Sequence, residues 1–404
     1  MEDGQAGPIA RARQWSPDPE IMNWAILTGQ YGRPGGVSDY TTLVAAELAR
    51  TGDDVTVYAS SPSLAQLAEK RFRVVEVPGS FGPAAHRALD VAFKRAIPDR
   101  VLVQYVPHAF GWHAMNLPFC LWLHARRKRY PLWFMYHEVA VGFRRTPPLR
   151  HNVIALATHA MAWLTARAAS RIHIAALAWE RSLRPMIPRE KPILWVPIPS
   201  NIPVIDDPRA VAGIREKYLG SRKHLVGHFG TYGWWISGPL MTALAVLLDQ
   251  RSDNSVLLMG ANGVEFRKKF LALYPELADR VIATGLLPPP EVSIHLQACD
   301  LMIQPYPDGV TTRRGSTMMA LAHGIPVVTN SGPLTENIWR EYRAVHMTPA
   351  GNPGQLARHA NRLLNEPAEM KRLGTDGRAL YEDRFALRHT ITALRDQSAD
   401  LVLV

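Results

Sequence analysis

The chain is predicted to fold as two doubly wound α/β halves, each a mostly parallel sheet wrapped by helices. Three observations carry this. Short apolar runs alternate with amphipathic helical segments along the chain, the pattern of repeated βαβ units. Several runs are apolar at consecutive positions, as in parallel strands buried on both faces. The proline-rich stretch PILWVPIPSNIPVIDDP, residues 192–208, breaks the alternation, which then restarts. At 404 residues the chain also exceeds the usual span of one hydrophobic core.

The elements follow in order. IMNWAILT (21–28) has the composition of a strand. The glycine-bearing loop GQYGRPGGVS leads into DYTTLVAAELARTG, where Tyr40, Leu43, Val44, Glu47 and Leu48 keep helical spacing. Ser38 is placed to cap that helix and Gly52 to end it. VTVYAS (55–60), FRVVEV (72–77), RVLVQY (100–105), LWFMYH (132–137) and RIHIAA (171–176) complete the strands of the first half. Four prolines between Pro192 and Pro203 exclude a helix and imply a linker. In the second half the expected strands are 224–230, 255–260, 280–285, 300–305 and 325–330, with helices at 239–250, 264–273 and 354–365.

Composition narrows the functional classes. There are 46 Lys and Arg against 35 Asp and Glu, a net charge of +11. Residues 1–200 hold 24 basic against 15 acidic residues, +9, and residues 201–404 hold 22 against 20, +2. The basic excess of the first half fits an anionic partner such as a membrane surface or an acidic acceptor. The clusters ARRKRY (125–130) and FRRTPPLRH (143–151), with Trp122, Trp133 and Phe134 near the first, fit a lipid interface or a solvated turn beside a buried strand. They match no nucleic-acid-binding module, so no nucleic-acid partner is expected. Residues 1–20 have the composition of a loose tail, not of a secretory signal. No run has the roughly 18–20 apolar residues of a membrane span. Cys120 and Cys299 stand far apart, which fits a reducing cytoplasm and offers no metal spacing.

In doubly wound sheets, ligands bind beyond the carboxyl ends of the strands, and the cleft between two such halves is the expected site. Several residues fall there. Gly35 and Gly36 open the first helix and can present backbone N–H groups to an anion. Gln104, Tyr105 and His108 end one strand and His137 and Glu138 another. Gly230 and Thr231 follow the first strand of the second half. In PYPDGVTTRRGSTMMALAHGIPVVTN (305–330), Arg313 and Arg314 stand directly before an apolar helix. The positive end of that helix's dipole disfavours cations, so a negative group is required there. A bound diphosphate would supply it, held by the two guanidinium forks with Gly315 and Ser316 adding N–H and hydroxyl donors. An ion pair with Asp308 or Glu336 is the alternative.

GGVSDYTTLVAAELARTGDDVTVYAS, PIPSNIPV, ACDLMIQPYPDG…ALAHGIPVVTNSG and RFALRHTITALR (384–395) together resemble the GT-B glycosyltransferases of retaining family 4. The resemblance implies a tail over 1–20, an acceptor-binding Rossmann-like domain over 21–200 and a donor-binding one over 201–380. A terminal helix over 381–404 would cross back to the first domain. It implies a nucleotide-sugar donor, a saccharide, lipid-linked or small-molecule acceptor, retained stereochemistry, and neither metal nor resident cofactor. It places His108 near the acceptor and the reacting sugar. Nucleotide and sugar contacts are expected at Gly230, Thr231, Gly285, Leu286, Leu287, Asp308 and Thr312. Two departures stand out. The family's two glutamates, eight residues apart, are Thr311 and Met319 here. Its Arg and Lys after the first strand of the donor domain give way to GTYGWWISG, which leaves Arg313 and Arg314 as candidate replacements. A non-catalytic sugar-nucleotide-binding protein and a nucleotide-sugar 2-epimerase share the same layout and are the alternatives.

Overall fold

A computed structural model describes residues 21–32, 35–62, 71–144 and 150–396; the expected tail lies outside them. The first half holds strands β1 (Asn23–Tyr31), β2 (Asp54–Pro62), β3 (Arg73–Glu76), β4 (Arg100–Tyr105), β5 (Leu132–Tyr136), β6 (Arg171–Ile174) and β7 (Ile193–Trp195). Its helices are α1 (Gly36–Arg50), α2 (Pro83–Arg95), α3 (Leu117–Arg126), α4 (His151–Ala168) and α5 (Ala178–Leu183). The second half holds β8 (His224–Phe229), β9 (Asn254–Met259), β10 (Val281–Gly285), β11 (Leu301–Gln304), β12 (Val327–Ser331) and β13 (His346–Pro349). Its helices are α6 (Pro208–Leu219), α7 (Trp234–Asp249), α8 (Gly263–Leu273), α9 (Pro289–Gln297), α10 (Gly315–Ala322), α11 (Ile338–Glu341), α12 (Pro353–Leu363), α13 (Pro367–Leu380) and α14 (Leu387–Arg395).

Both sheets are parallel, in the orders β3-β2-β1-β4-β5-β6-β7 and β10-β9-β8-β11-β12-β13. Every residue of β4, β5 and β9 is buried, which is why these runs are apolar at consecutive positions. In each sheet the strand order reverses at the first strand, between β1 and β4 and between β8 and β11. Those reversals open the crevices where ligands bind.

Local chemistry sets the helix ends. Asn116, Asp207 and Asn352 cap α3, α6 and α12 by accepting the N–H three residues on. Gly324, at φ +66, ends α10. Ser38 does not cap α1. That helix starts earlier, at Gly36, and the Ser38 hydroxyl instead accepts the Gly32 N–H. Part of the expected linker is a strand, because β7 pairs with β6 through Ile193 and Trp195 before the prolines begin to alternate. β13 has no counterpart among the strands expected from sequence.

The chain passes between the halves twice. After β7, Ile198 N–H donates to the Thr312 carbonyl, Asn201 Nδ2 to Asp39, and Ile205 N–H to Ser293. At the far end a π-helical turn, Tyr381–Phe385, precedes α14, a break within the helix expected over 384–395. α14 packs on α1 and buries Ile391 and Leu394 in the first half's core. Arg395 pairs with Asp53 at 2.8 Å, and Arg100 donates to the Leu394 carbonyl.

Candidate active site

The site grows from the loop between β11 and α10. Arg314 occupies the cap position of α10, with Arg313 before it. The negative group their position requires is Asp308. Its carboxylate takes Arg313 Nη2 at 2.8 Å and Arg314 Nη2 on its other oxygen. Arg313 also reaches across the cleft, 3.6 Å from Glu138 of the first half. Each guanidinium lies over an aromatic ring, Arg313 over Trp179 at 5.5 Å and Arg314 over Tyr306 at 4.5 Å. Burial, then the neighbouring Arg314 charge, push the Arg313 pKa below its ordinary value, against the pull of Asp308 and Glu138. Among the described residues the buried Nε of both arginines has no partner, an arrangement that costs about 1–3 kcal/mol per group. Glu336, the other candidate counter-ion, instead receives the Thr312 N–H and the Trp339 indole.

A cavity of about 230 Å³ opens between the halves beside this loop. The first turns of α1 (Gly36, Val37) and of α10 (Gly315) reach its wall, with Arg313 and Glu138. Two helix N-termini thus offer free N–H groups to one space. Tyr40 and His137 line it from the first half, their rings edge-to-face at 5.0 Å. The buried Tyr40 hydroxyl has no partner among the described residues. His137 Nε2 lies 2.8 Å from Gln104 Oε1, and burial lowers its pKa to about 3, so the ring stays neutral.

Sequence expectations meet this geometry unevenly. Arg313, Gly315, Gly36, His137 and Glu138 converge on the cavity. Gln104 sits behind it as the partner of His137. Gly35 caps α1. Tyr105 is a correction: its ring packs on Tyr136 at 4.8 Å in the core. Thr312 is a second correction. Its hydroxyl accepts the Trp195 indole N–H and lies 2.8 Å from the Ala175 carbonyl oxygen, which makes it a bolt between the halves. Ser316 is engaged with the Tyr306 hydroxyl at 2.6 Å. His108 is exposed on the turn after β4 and does not line the cavity. Glycine at position 29 serves packing, since a Cβ there would lie 1.8 Å from the Ala109 carbonyl oxygen.

On the second half, Gly230 and Gly260 follow β8 and β9, Gly285 ends the adjacent β10, and the three touch backbone to backbone. Gly260 N–H donates to the Gly285 carbonyl, and a Cβ on Gly260 would lie 2.1 Å from the Gly230 oxygen. Thr231 is exposed and accepts from Asn262, Leu286 projects at 61% exposure, and Leu287 packs partly on the core. Thr311 and Met319, at the family's two glutamate positions, are fully buried. Sequence reasoning missed Tyr40, which sits in the apolar stripe of α1, and Trp179, whose partner Arg313 lies over a hundred residues away.

Two facing Rossmann-like parallel sheets with a cleft between them are the GT-B layout. The sequence profile of Glycosyltransferase Family 4 matches residues 34–202, and that of Glycosyl transferases group 1 matches residues 224–366. The chain belongs to this glycosyltransferase family. Among solved structures it is similar to sucrose-phosphate synthase from Thermosynechococcus elongatus, with a TM-score of 0.73 and 17% identity over 92% of this chain and 96% of that one. It is also similar to Anabaena Alr3699/HepE in complex with UDP-glucose, with a TM-score of 0.68 and 18% identity over 93% and 98%. At such identities the likeness shows the fold. The 2-deoxystreptamine glucosyltransferase of Streptomyces kanamyceticus is 27% identical over 148 residues, 36% of this chain and 38% of that enzyme.

Proposed function

We propose that the chain transfers a hexose from a nucleoside diphosphate sugar to a saccharide, cyclitol or lipid-linked hydroxyl, with retention at the anomeric carbon. The observation that carries this reading is the arginine pair, whose buried Nε–H groups lack partners among the described residues, beside two helix N-termini on one cavity. A diphosphate would take the guanidinium groups from Asp308 and satisfy more of their donors than one carboxylate can. As the sugar–phosphate bond breaks, charge grows on the leaving diphosphate, and fixed donors stabilise it without reorganising. No resident cofactor enters this scheme. The cavity is smaller than the roughly 300–1,000 Å³ of ordinary ligand sites, so donor entry would part Glu138 from Arg313. Tyr40, His137 and Glu138 then stand nearest the acceptor. His108 would join them only on a bound acceptor. UDP-glucose is the first donor to try, given the ligand of the Anabaena protein, and an aminocyclitol the first acceptor, given the Streptomyces enzyme.

A second reading, sugar-nucleotide binding without transfer, is favoured by the replacement of both family glutamates with buried Thr311 and Met319. Calorimetry over a panel of nucleoside diphosphates and their sugars tests the donor site. Arg314→Ala is expected to lower the affinity about a hundredfold, the worth of a pair of charge-assisted hydrogen bonds. Unchanged affinity would remove the arginine pair from the donor site. Donor turnover with an acceptor panel, followed by the anomeric configuration of the product, separates the enzyme from the binding protein.

A further inference from the structure

The outer face of α3 and α4 combines two features that surface helices ordinarily keep apart. α4 buries Ala155, Met161, Ala162 and Ala166 against the rest of the first half, so its opposite side should be polar. It is not. Val153, Leu156 and Trp163 lie there, 62%, 65% and 44% exposed. Their spacing, with Ala160 between the last two, makes one stripe along the helix. Phe143 (59% exposed) extends it, its ring 4.9 Å from that of His159 on the same helix. Leu121, on the neighbouring α3, is 54% exposed.

The charge around this stripe has one sign. Residues 101–179 contain nine Lys and Arg and a single acid, Glu138, which is turned into the cleft toward Arg313. Arg127, Lys128 and Arg129 are exposed where α3 ends, Arg144 and Arg150 before α4, and Arg167 at its end. Among the described residues none of these six has an acidic partner. The Arg167 guanidinium lies 4.8 Å from the Trp163 ring centre, so it flanks the stripe.

We propose that the α3–α4 face docks on an anionic lipid surface. An apolar stripe flanked by exposed cations that have no acidic partner among the described residues suits the boundary between acyl chains and phosphate headgroups; the nearest acids on the packed elements, Asp90 and Glu180, are already paired with Arg126 and Arg184. A protein partner would have to present a matching acidic patch, whereas an anionic bilayer offers negative headgroups and apolar depth together. No helix among the described residues is long and apolar enough to cross a membrane, so the contact is one of surface. Phe143 on the face follows Glu138 in the cleft by five positions, at most about 20 Å of chain. Docking there would hold the cleft mouth close to lipid headgroups. This inference rests on the face alone, not on the proposed transfer reaction.

The test is co-sedimentation of the full chain with phosphatidylcholine vesicles, with and without phosphatidylglycerol. Binding is expected only to the anionic vesicles and is expected to weaken as salt rises. The double variant Leu156→Glu, Trp163→Glu should bind about tenfold or more weakly, while Val264→Glu, on an exposed apolar position of α8, should bind as the parent does. Circular dichroism of the double variant guards against unfolding. Equal partition onto both vesicle types, or full binding by the folded double variant, would overturn the proposal. So would a parent dimer that this variant converts to monomer, because the face would then serve self-association.

Discussion

Two helix N-termini meet at the cavity, and they are furnished in opposite ways. α1 begins Gly36–Val37–Ser38 with Asp39 in its first turn, an acid where the dipole favours one. Asn201 holds that carboxylate from the crossing segment, and burial raises its pKa. α10 begins with two arginines where the dipole disfavours them, and balances both with Asp308 from the preceding loop. The first terminus is electrostatically complete. The second depends on a carboxylate that is held by side chains alone and can be displaced by a stronger anion. On this comparison an entering anion is expected to exchange with Asp308 on the second half, while the first terminus stays as it is.

Acid should have the largest effect, and on both halves. His137 and His173 in the first half are fully buried with pKa values lowered to about 3, and His228 in the second to about 4, in each case chiefly by burial. Below about pH 6.5 the unfolded chain takes up protons that these rings cannot. Stability is therefore complete above that pH and falls toward the folded pKa. Each ring costs about 1.4 kcal/mol per pH unit in that window. Burial likewise lowers His86 in the first half and His224, His323, His346 and His359 in the second, so both halves lose stability as the pH falls. Hydrogen exchange of β4–β6 and of β8–β11, corrected for intrinsic rates, measures this; protection in either sheet that does not change with pH would refute it.

A smaller effect tests the exchangeable anion itself. Asp308→Asn keeps the side-chain shape and removes the charge that balances Arg313 and Arg314. Nucleoside diphosphate affinity is expected to rise about tenfold, about 1.4 kcal/mol, while thermal stability without ligand falls. An affinity that drops would make Asp308 a ligand contact, as the sequence alone suggested, and not a stand-in for the phosphate.

The two halves also differ in how much of them the sequence discloses. Strands such as β4 and β9 are legible because burial on both faces writes a continuous apolar run. β7 is hidden because three paired residues sit at the edge of a proline-rich stretch, and β13, HMTP, is too short and polar to declare itself. In the site, the arginine pair is legible because it violates a local electrostatic rule. Tyr105, Thr312 and Ser316 mislead because their partners decide their roles, and those partners are remote or face the core: Tyr136, Ala175 with Trp195, and Tyr306. Gly29, in the glycine-bearing stretch before α1, is required by the close approach of the Ala109 carbonyl, a constraint no local pattern announces. Sequence shows a residue's chemistry; only the fold shows whether that chemistry is already spent.

The smallest effect discriminates most finely between the two termini. A Cβ at Gly36 or at Gly315 meets nothing within 4 Å, and neither residue has a positive φ. Folding gives no reason for glycine at either place, so alanine should stabilise the chain by up to about 1 kcal/mol in each. Both positions line the cavity, and a methyl group there would stand between a phosphate and the helix N–H groups. If the diphosphate sits on α10 alone, Gly315→Ala should raise the melting temperature yet weaken nucleoside diphosphate binding several-fold, and Gly36→Ala should raise it with binding unchanged. Weakened binding in both variants would mean that the diphosphate bridges the two dipoles, and the first half would then share in holding the donor. Unchanged binding in both would place the phosphates away from either helix and leave the arginines as the sole anchor.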